Sequence, residues 1–152
     1  QIPNEISHNA AISACGKGAR WHEALGMLSD MHERFLETSA TTYSSAINAC
    51  GLGSRWHEAM RVFSDMRRRC LEHDVIIYNA LISACEKGVR WHEASGIFSD
   101  MRSRRVKHDV ITHNAALSAF EKGARWYEAL GMFSDMQLCR LKPDVITYNA
   151  AT

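Results

Sequence analysis

Between Val75 and Asp109 the apolar positions fall into two helical stripes. Tyr78, Leu81, Ile82 and Cys85 stand at i, i+3, i+4 and i+7, one face of a first helix. Lys87-Gly88 follows. Lysine suits the carbonyl-rich end of a helix, and the glycine is expected to supply a left-handed cap. Trp91, Ala94, Ser95, Phe98 and Met101 form a second stripe, with Glu93 in its first turn, where a carboxylate meets the positive end of the dipole. The small Ala94 lets two antiparallel helices approach closely. An Arg-rich stretch then leads to His108-Asp109. No alternating strand pattern occurs.

The same pattern returns every 35 residues: Trp21, Trp56, Trp91 and Trp126 keep that interval, as does Ser-Asp-Met at 29–31, 64–66, 99–101 and 134–136. Four repeats are read, 5–39, 40–74, 75–109 and 110–144, with a partial fifth over 145–152. First helices are predicted over 6–16, 41–51, 76–86 and 111–121, and second helices over 20–33, 55–68, 90–103 and 125–138. A hairpin this short cannot bury its apolar face alone and must stack on its neighbours. The expected fold is therefore all-α, a solenoid of stacked antiparallel helix-turn-helix repeats. The absent initiating Met and the stop inside an expected helix suggest a piece of a longer array.

Composition adjusts this picture in three ways. Apolar residues make up 46% of the chain, yet no stretch reaches the 18 or so successive apolar residues of a membrane span. Net charge is only +1, which weighs against a nucleic-acid partner unless the basic residues share one face. Cys15, Cys50 and Cys85 occupy one repeat position, where the fourth repeat has Phe120. Replacement by Phe marks that position as core. Cys70 and Cys139 share another, and with no Cys-x-x-Cys the thiols are expected to be free, in a reducing compartment.

Val75-Ile76-Ile77-Tyr78-Asn79-Ala80-Leu81-Ile82, then Lys87, Glu93-Ala94, Ile97-Phe98, Met101 and Asp109, resembles a pentatricopeptide repeat. The fourth repeat, ending in Lys142-Pro143-Asp144, resembles it equally, and the likeness covers essentially the whole chain without insertions. A tetratricopeptide repeat has a 34-residue period with a Trp-x-x-Leu-Gly-x-x-Tyr pattern, whereas here the period is 35 and Trp precedes Glu-Ala in the second helix. The resemblance implies a right-handed α-solenoid that binds single-stranded RNA, one base per repeat, in a mitochondrion or chloroplast, for processing, stability, editing or translation of a transcript. It also implies that the fifth and thirty-fifth residues of each repeat read the base. These are Asn9 with Ser39, Ser44 with Asp74, Asn79 with Asp109 and Asn114 with Asp144; Asn149 would begin a fifth set. By the same likeness they favour C, G, U and U, giving 5′-CGUU-3′. Second-position residues, Ile6, Thr41, Ile76, Ile111 and Ile146, are expected to sandwich bases. Lys17, Lys87 and Lys122 at the thirteenth position are expected to meet phosphates, whereas the second repeat has Leu52 there. Glu86 and Glu121 stand beside two of these lysines and would weaken a phosphate track.

Plainer roles compete for several of these residues. The Trp spacing assigns that ladder to core packing. Arg20, Arg55, Arg90 and Arg125 are each three residues before a Glu and are expected to pair locally. Asp109 and Asp144 suit N-caps. His22, His57 and His92 have no nearby Cys or His partner, so no metal site is expected. Nothing in the chain has the spacing of a catalytic motif, a cofactor site or a small-molecule pocket. A second reading makes the array a scaffold that contacts protein subunits of a larger organellar complex, motivated by the near-neutral charge and the acidic neighbours of the lysines.

Overall fold

A computed structural model describes residues 4–138. Eight helices of 13 residues each lie among the described residues: α1 (Glu5–Lys17), α2 (Trp21–Glu33), α3 (Ala40–Leu52), α4 (Trp56–Arg68), α5 (Val75–Lys87), α6 (Trp91–Ser103), α7 (Val110–Lys122) and α8 (Trp126–Leu138). The predicted first helices are one residue short at each end, and the predicted second helices begin one residue too early. The chain divides between His73 and Asp74 into two compact units. In the first, α1 packs on α2 and α3, and α3 on α4; in the second, α5 packs on α6 and α7, and α7 on α8.

The start of each first helix is set by the residue before it. Asn4, Ser39, Asp74 and Asp109 are N-caps whose side chains accept from the backbone N–H three residues on, at 3.0, 3.3, 3.0 and 2.8 Å. A cap of this kind stabilises a helix by about 1 kcal/mol. The second helices have no side-chain cap. They start where the preceding helix stops: Arg20, Arg55, Arg90 and Arg125 donate their backbone N–H to the carbonyls of Cys15, Cys50, Cys85 and Phe120 at 2.8–3.0 Å. This six-to-one bond closes a Schellman turn.

That turn corrects the expectation for the glycines. Gly18, Gly53, Gly88 and Gly123 all have negative φ. The left-handed residue is the next one, Ala19, Ser54, Val89 and Ala124, with φ of 55–57°. Two of the glycines are required for another reason. A Cβ on Gly53 would strike the Trp21 ring, and one on Gly123 the Trp91 ring.

The tryptophans correct a second expectation. Trp21, Trp56 and Trp91 are half-buried and Trp126 is exposed, so the ladder is not the core. Trp21 and Trp91 instead lie on the seam between successive hairpins. Each is covered by glycine from one side and by the arginine of the next hairpin from the other, Arg55 at 4.3 Å from the Trp21 ring and Arg125 at 4.1 Å from the Trp91 ring. The core is made by smaller residues. Ala24, Ala59, Ala94 and Ala129 are buried where paired helices meet, with Met31, Met66, Met101 and Met136 beneath them. Each methionine contributes roughly 1.5–3 kcal/mol of apolar burial. Cys15, Cys50, Cys85 and Phe120 share this interior, and burial pushes the thiols of Cys50 and Cys85 up to about 11 and about 12. Such thiols are inert packing groups. The described cysteines are all free.

A polar bracket that the repeat pattern did not announce ties the helices of a hairpin together. In α1, α3 and α5 the fourth residue reaches the Asp of Ser-Asp-Met, whereas His113 of α7 leaves its Nε2 without a hydrogen bond. His8 Nε2 lies 2.6 Å from Asp30, and Tyr43 and Tyr78 donate to Asp65 and Asp100 at 2.6 and 2.8 Å. Burial, then the Asp65 carboxylate, pushes the Tyr43 hydroxyl up to about 12. Arg34, Arg69 and Arg104 close the bracket from the other side at 3.0–3.3 Å. The Ser-Asp-Met signature thus joins an acceptor to a buried core side chain.

Candidate nucleic-acid interface

The first helices carry the residues of interest on one exposed face of each unit. Ile6, Ile76 and Ile111 are 75, 62 and 66% exposed, and Thr41 is exposed at the matching position. Branched apolar side chains left in water at one repeat position offer apolar surface for a ligand to cover. Three residues further on, Asn9, Ser44, Asn79 and Asn114 are half-buried, with part of each side chain open. The thirty-fifth residues Ser39, Asp74 and Asp109 sit at the mouths of the next helices, where capping fixes them. Asp144, Ile146 and Asn149 lie outside the described residues.

In the second unit, Asn79 and Asp109 come together across 30 residues of sequence: Asn79 Nδ2 donates to the two Asp109 oxygens at 3.4 and 3.5 Å. Thr112 completes the group. Its Oγ1 lies 2.5 Å from Asn79 Oδ1 and 2.7 Å from Asp109 Oδ1. In the first unit Asn9 and Ser39 are joined the same way through Thr42, whose Oγ1 is 2.5 Å from Asn9 Oδ1 and 3.1 Å from Ser39 Oγ. Ser44 belongs to the first unit, half-buried in α3; Asp74 opens the second as an exposed cap. Burial pushes the Asp109 carboxyl up, but the Thr112 N–H and hydroxyl and the Asn79 amide outweigh it and hold it below the usual carboxylate range. Asp109 is therefore an ionised acceptor at neutral pH. The cap and the pairing with Asn79 are compatible, because a carboxylate has lone pairs for both.

Lys17, Lys87 and Lys122 are the exposed last residues of their helices. Lys122 is held by Glu86 at 2.8 Å, and Glu86 also accepts from Ser118 at 2.8 Å. The acid thus reaches past its neighbour Lys87 to the next repeat. Three of the four anticipated arginine pairs form, Arg20–Glu23, Arg90–Glu93 and Arg125–Glu128, at 2.5–2.7 Å. No group of three or more His, Cys, Asp or Glu side chains among the described residues could hold a metal ion.

Comparison with known proteins agrees with this architecture. The model of the PPR repeat family matches residues 73–122, that of the pentatricopeptide repeat domain matches 26–88, and that of the PPR repeat matches 6–34 and 111–141. Together they leave little of the chain unmatched, and the chain belongs to the pentatricopeptide repeat family. Its fold class is that of the all-α helical-repeat solenoids. The maize pentatricopeptide repeat protein PPR10, crystallised with an 18-nt psaJ RNA element, is 25% identical, with a TM-score of 0.82 over 95% of this chain. This chain spans only 21% of that protein. The PPR domain of Arabidopsis thaliana protein-only RNase P 1, in complex with tRNA, shares the fold with a TM-score of 0.84 at 14% identity, over 93% of this chain and 75% of that one. Nuclear proteinaceous RNase P 2 from A. thaliana does so at 0.86 and 11% identity, over 97% of this chain and 33% of that one. No curated protein matches the sequence.

Proposed function

We propose that this chain binds single-stranded RNA, one base per repeat, by the side chains at the fifth and thirty-fifth positions. The observation that carries it is the Asn79–Asp109–Thr112 group beside exposed Ile76 and Ile111. A base needs its faces covered and its edge met by hydrogen bonds, which only an unpaired strand allows. The isoleucines supply apolar surface for the faces. Asn79 presents donors toward a pyrimidine carbonyl, and the Asp109 carboxylate accepts from the N3–H of uracil. Cytosine carries a lone pair at N3 and is repelled there. Where Ser39 replaces the carboxylate that repulsion vanishes, in keeping with C at the first repeat. Ser44 is shorter and leaves room for a purine. The proposed element is 5′-CGUU-3′, and the proposed role is in processing, stability, editing or translation of an organellar transcript. A fluorescent fusion of the full-length protein found outside mitochondria and chloroplasts would remove the organellar part.

Fluorescence anisotropy tests the reading. Labelled RNA carrying CGUU is expected to bind more tightly than its scrambled counterpart as salt is raised. Equal binding of both at every salt concentration would falsify base reading. A scaffold role has one observation in its favour: Glu86 occupies Lys122, removing a cation from the RNA face. A protein subunit that co-purifies with the full-length protein and blocks RNA binding would favour it.

A further inference from the structure

We infer that the threonine at the third position of the following repeat is a positioning residue for base reading: its hydroxyl decides which end of the asparagine amide faces the base. The inference rests on the RNA-reading function proposed above. Thr42 and Thr112 are buried. Each places Oγ1 2.5 Å from the Oδ1 of an asparagine 33 residues earlier, Asn9 and Asn79. Each also touches the thirty-fifth residue, Ser39 at 3.1 Å and Asp109 at 2.7 Å. The two base-reading positions of a repeat are therefore joined through a residue of the next one.

The chemistry explains why such a residue is needed. The two ends of an amide are nearly equal in shape and opposite in hydrogen bonding. With Oδ1 turned inward to the hydroxyl, the asparagine offers its N–H donors to the ligand and meets an acceptor such as cytosine N3. A reversed amide would offer an oxygen and suit the N3–H of uracil instead. In the second unit the one Thr112 proton is shared between Asn79 Oδ1 and Asp109 Oδ1, and the Asp109 carboxylate is the stronger bar to reversal, because it would face the amide oxygen. In the first unit Thr42 Oγ1 already accepts from the Ser39 backbone N–H at 3.2 Å and lies 3.1 Å from Ser39 Oγ, which leaves its own proton for Asn9 Oδ1 and lets Thr42 sort the amide. The sequence follows this logic. Asn9, Asn79 and Asn114 are followed 33 residues on by Thr42, Thr112 and Thr147, the last outside the described residues. Ser44, whose hydroxyl has no ends to sort, is followed by Ile77.

The test uses the chain with Thr42→Val and Thr42→Ser, and RNAs that differ only in carrying C or U at the first base of CGUU. Valine keeps the shape and loses the hydroxyl; serine keeps the hydroxyl. Wild type and Thr42→Ser are expected to prefer C. Thr42→Val is expected to lose about five- to tenfold of that preference, the worth of one hydrogen bond, while still melting cooperatively. An unchanged C-to-U ratio in Thr42→Val, or equal weakening on both RNAs, overturns the inference and leaves the reading of bases intact. Wild type that binds both RNAs equally overturns the base reading itself, and the inference with it.

Discussion

Asp109 carries two duties, and a substitution separates them. Its carboxylate caps α7 and faces Asn79. Serine retains a capping oxygen, as Ser39 shows at α3. Asp109→Ser is therefore expected to cost little stability while moving the third-base preference from U to C, read as a ratio of dissociation constants for the two RNAs. His113 poses a different problem. It is fully buried at the position where Tyr43 and Tyr78 sit, edge-on to His108 and Phe98. Burial lowers the pKa of both histidines below their ordinary 6.5; Arg102 adds to it at both, and His113 adds to it at His108, against the pull of Asp109 and Asp135. The unfolded chain then binds more protons than the folded one as pH falls below about 6.5. Stability present at neutral pH is lost progressively in that acid window. Denaturant titrations at pH 7.5 and 5.5 are expected to show the loss, and His113→Tyr to diminish it.

At the scale of the helix, the glycines divide into two kinds. Gly123 and Gly53 touch a tryptophan of the preceding hairpin, whereas Gly26, Gly96 and Gly131 have open space where a Cβ would stand. Gly123→Ala is expected to destabilise by about 1–3 kcal/mol, because the Trp91 ring must shift. Gly96→Ala, inside α6, is expected to stabilise by about 0.5–1 kcal/mol through helix propensity alone. Melting temperatures moving in opposite directions check both. This division was not visible in the sequence. Glycine after lysine at a helix end fits a left-handed cap so well that a seam contact 32 residues away leaves no local trace. Helix boundaries were legible to within a residue because capping and amphipathic spacing are local. The bracket from Tyr43 to Asp65 was not, although its two members recur with the period; a repeat shows which positions matter and conceals what they touch.

Across the whole molecule, net charge near zero makes each exposed cation count. Glu86 holds Lys122 at 2.8 Å. Glu86→Gln is expected to free the lysine and tighten RNA binding at low salt. It is also expected to steepen the salt dependence by about 0.7, the slope for neutralising one further phosphate of a single strand. An unchanged slope would show that Lys122 has no phosphate within reach. The candidate site was partly legible in advance. Position within the period marked Asn79, Asp109 and the exposed isoleucines, while Thr42 and Thr112 looked like ordinary helix-start residues. The role proposed for them depends on a hydroxyl meeting an amide from the previous repeat, a contact that the identity of neither residue announces.

What the sequence alone determined was the hairpin: its period, its two helices, the N-cap at Asp109 and the buried stripe of its first helix. These follow from interactions a few residues long, repeated often enough to be read. What only the tertiary structure decided was the traffic between repeats, where tryptophan meets glycine, Glu86 takes Lys122, and a threonine hydroxyl meets an asparagine amide. Those contacts depend on how one hairpin docks on the next, and sub-ångström differences in that docking separate a hydrogen bond from a gap.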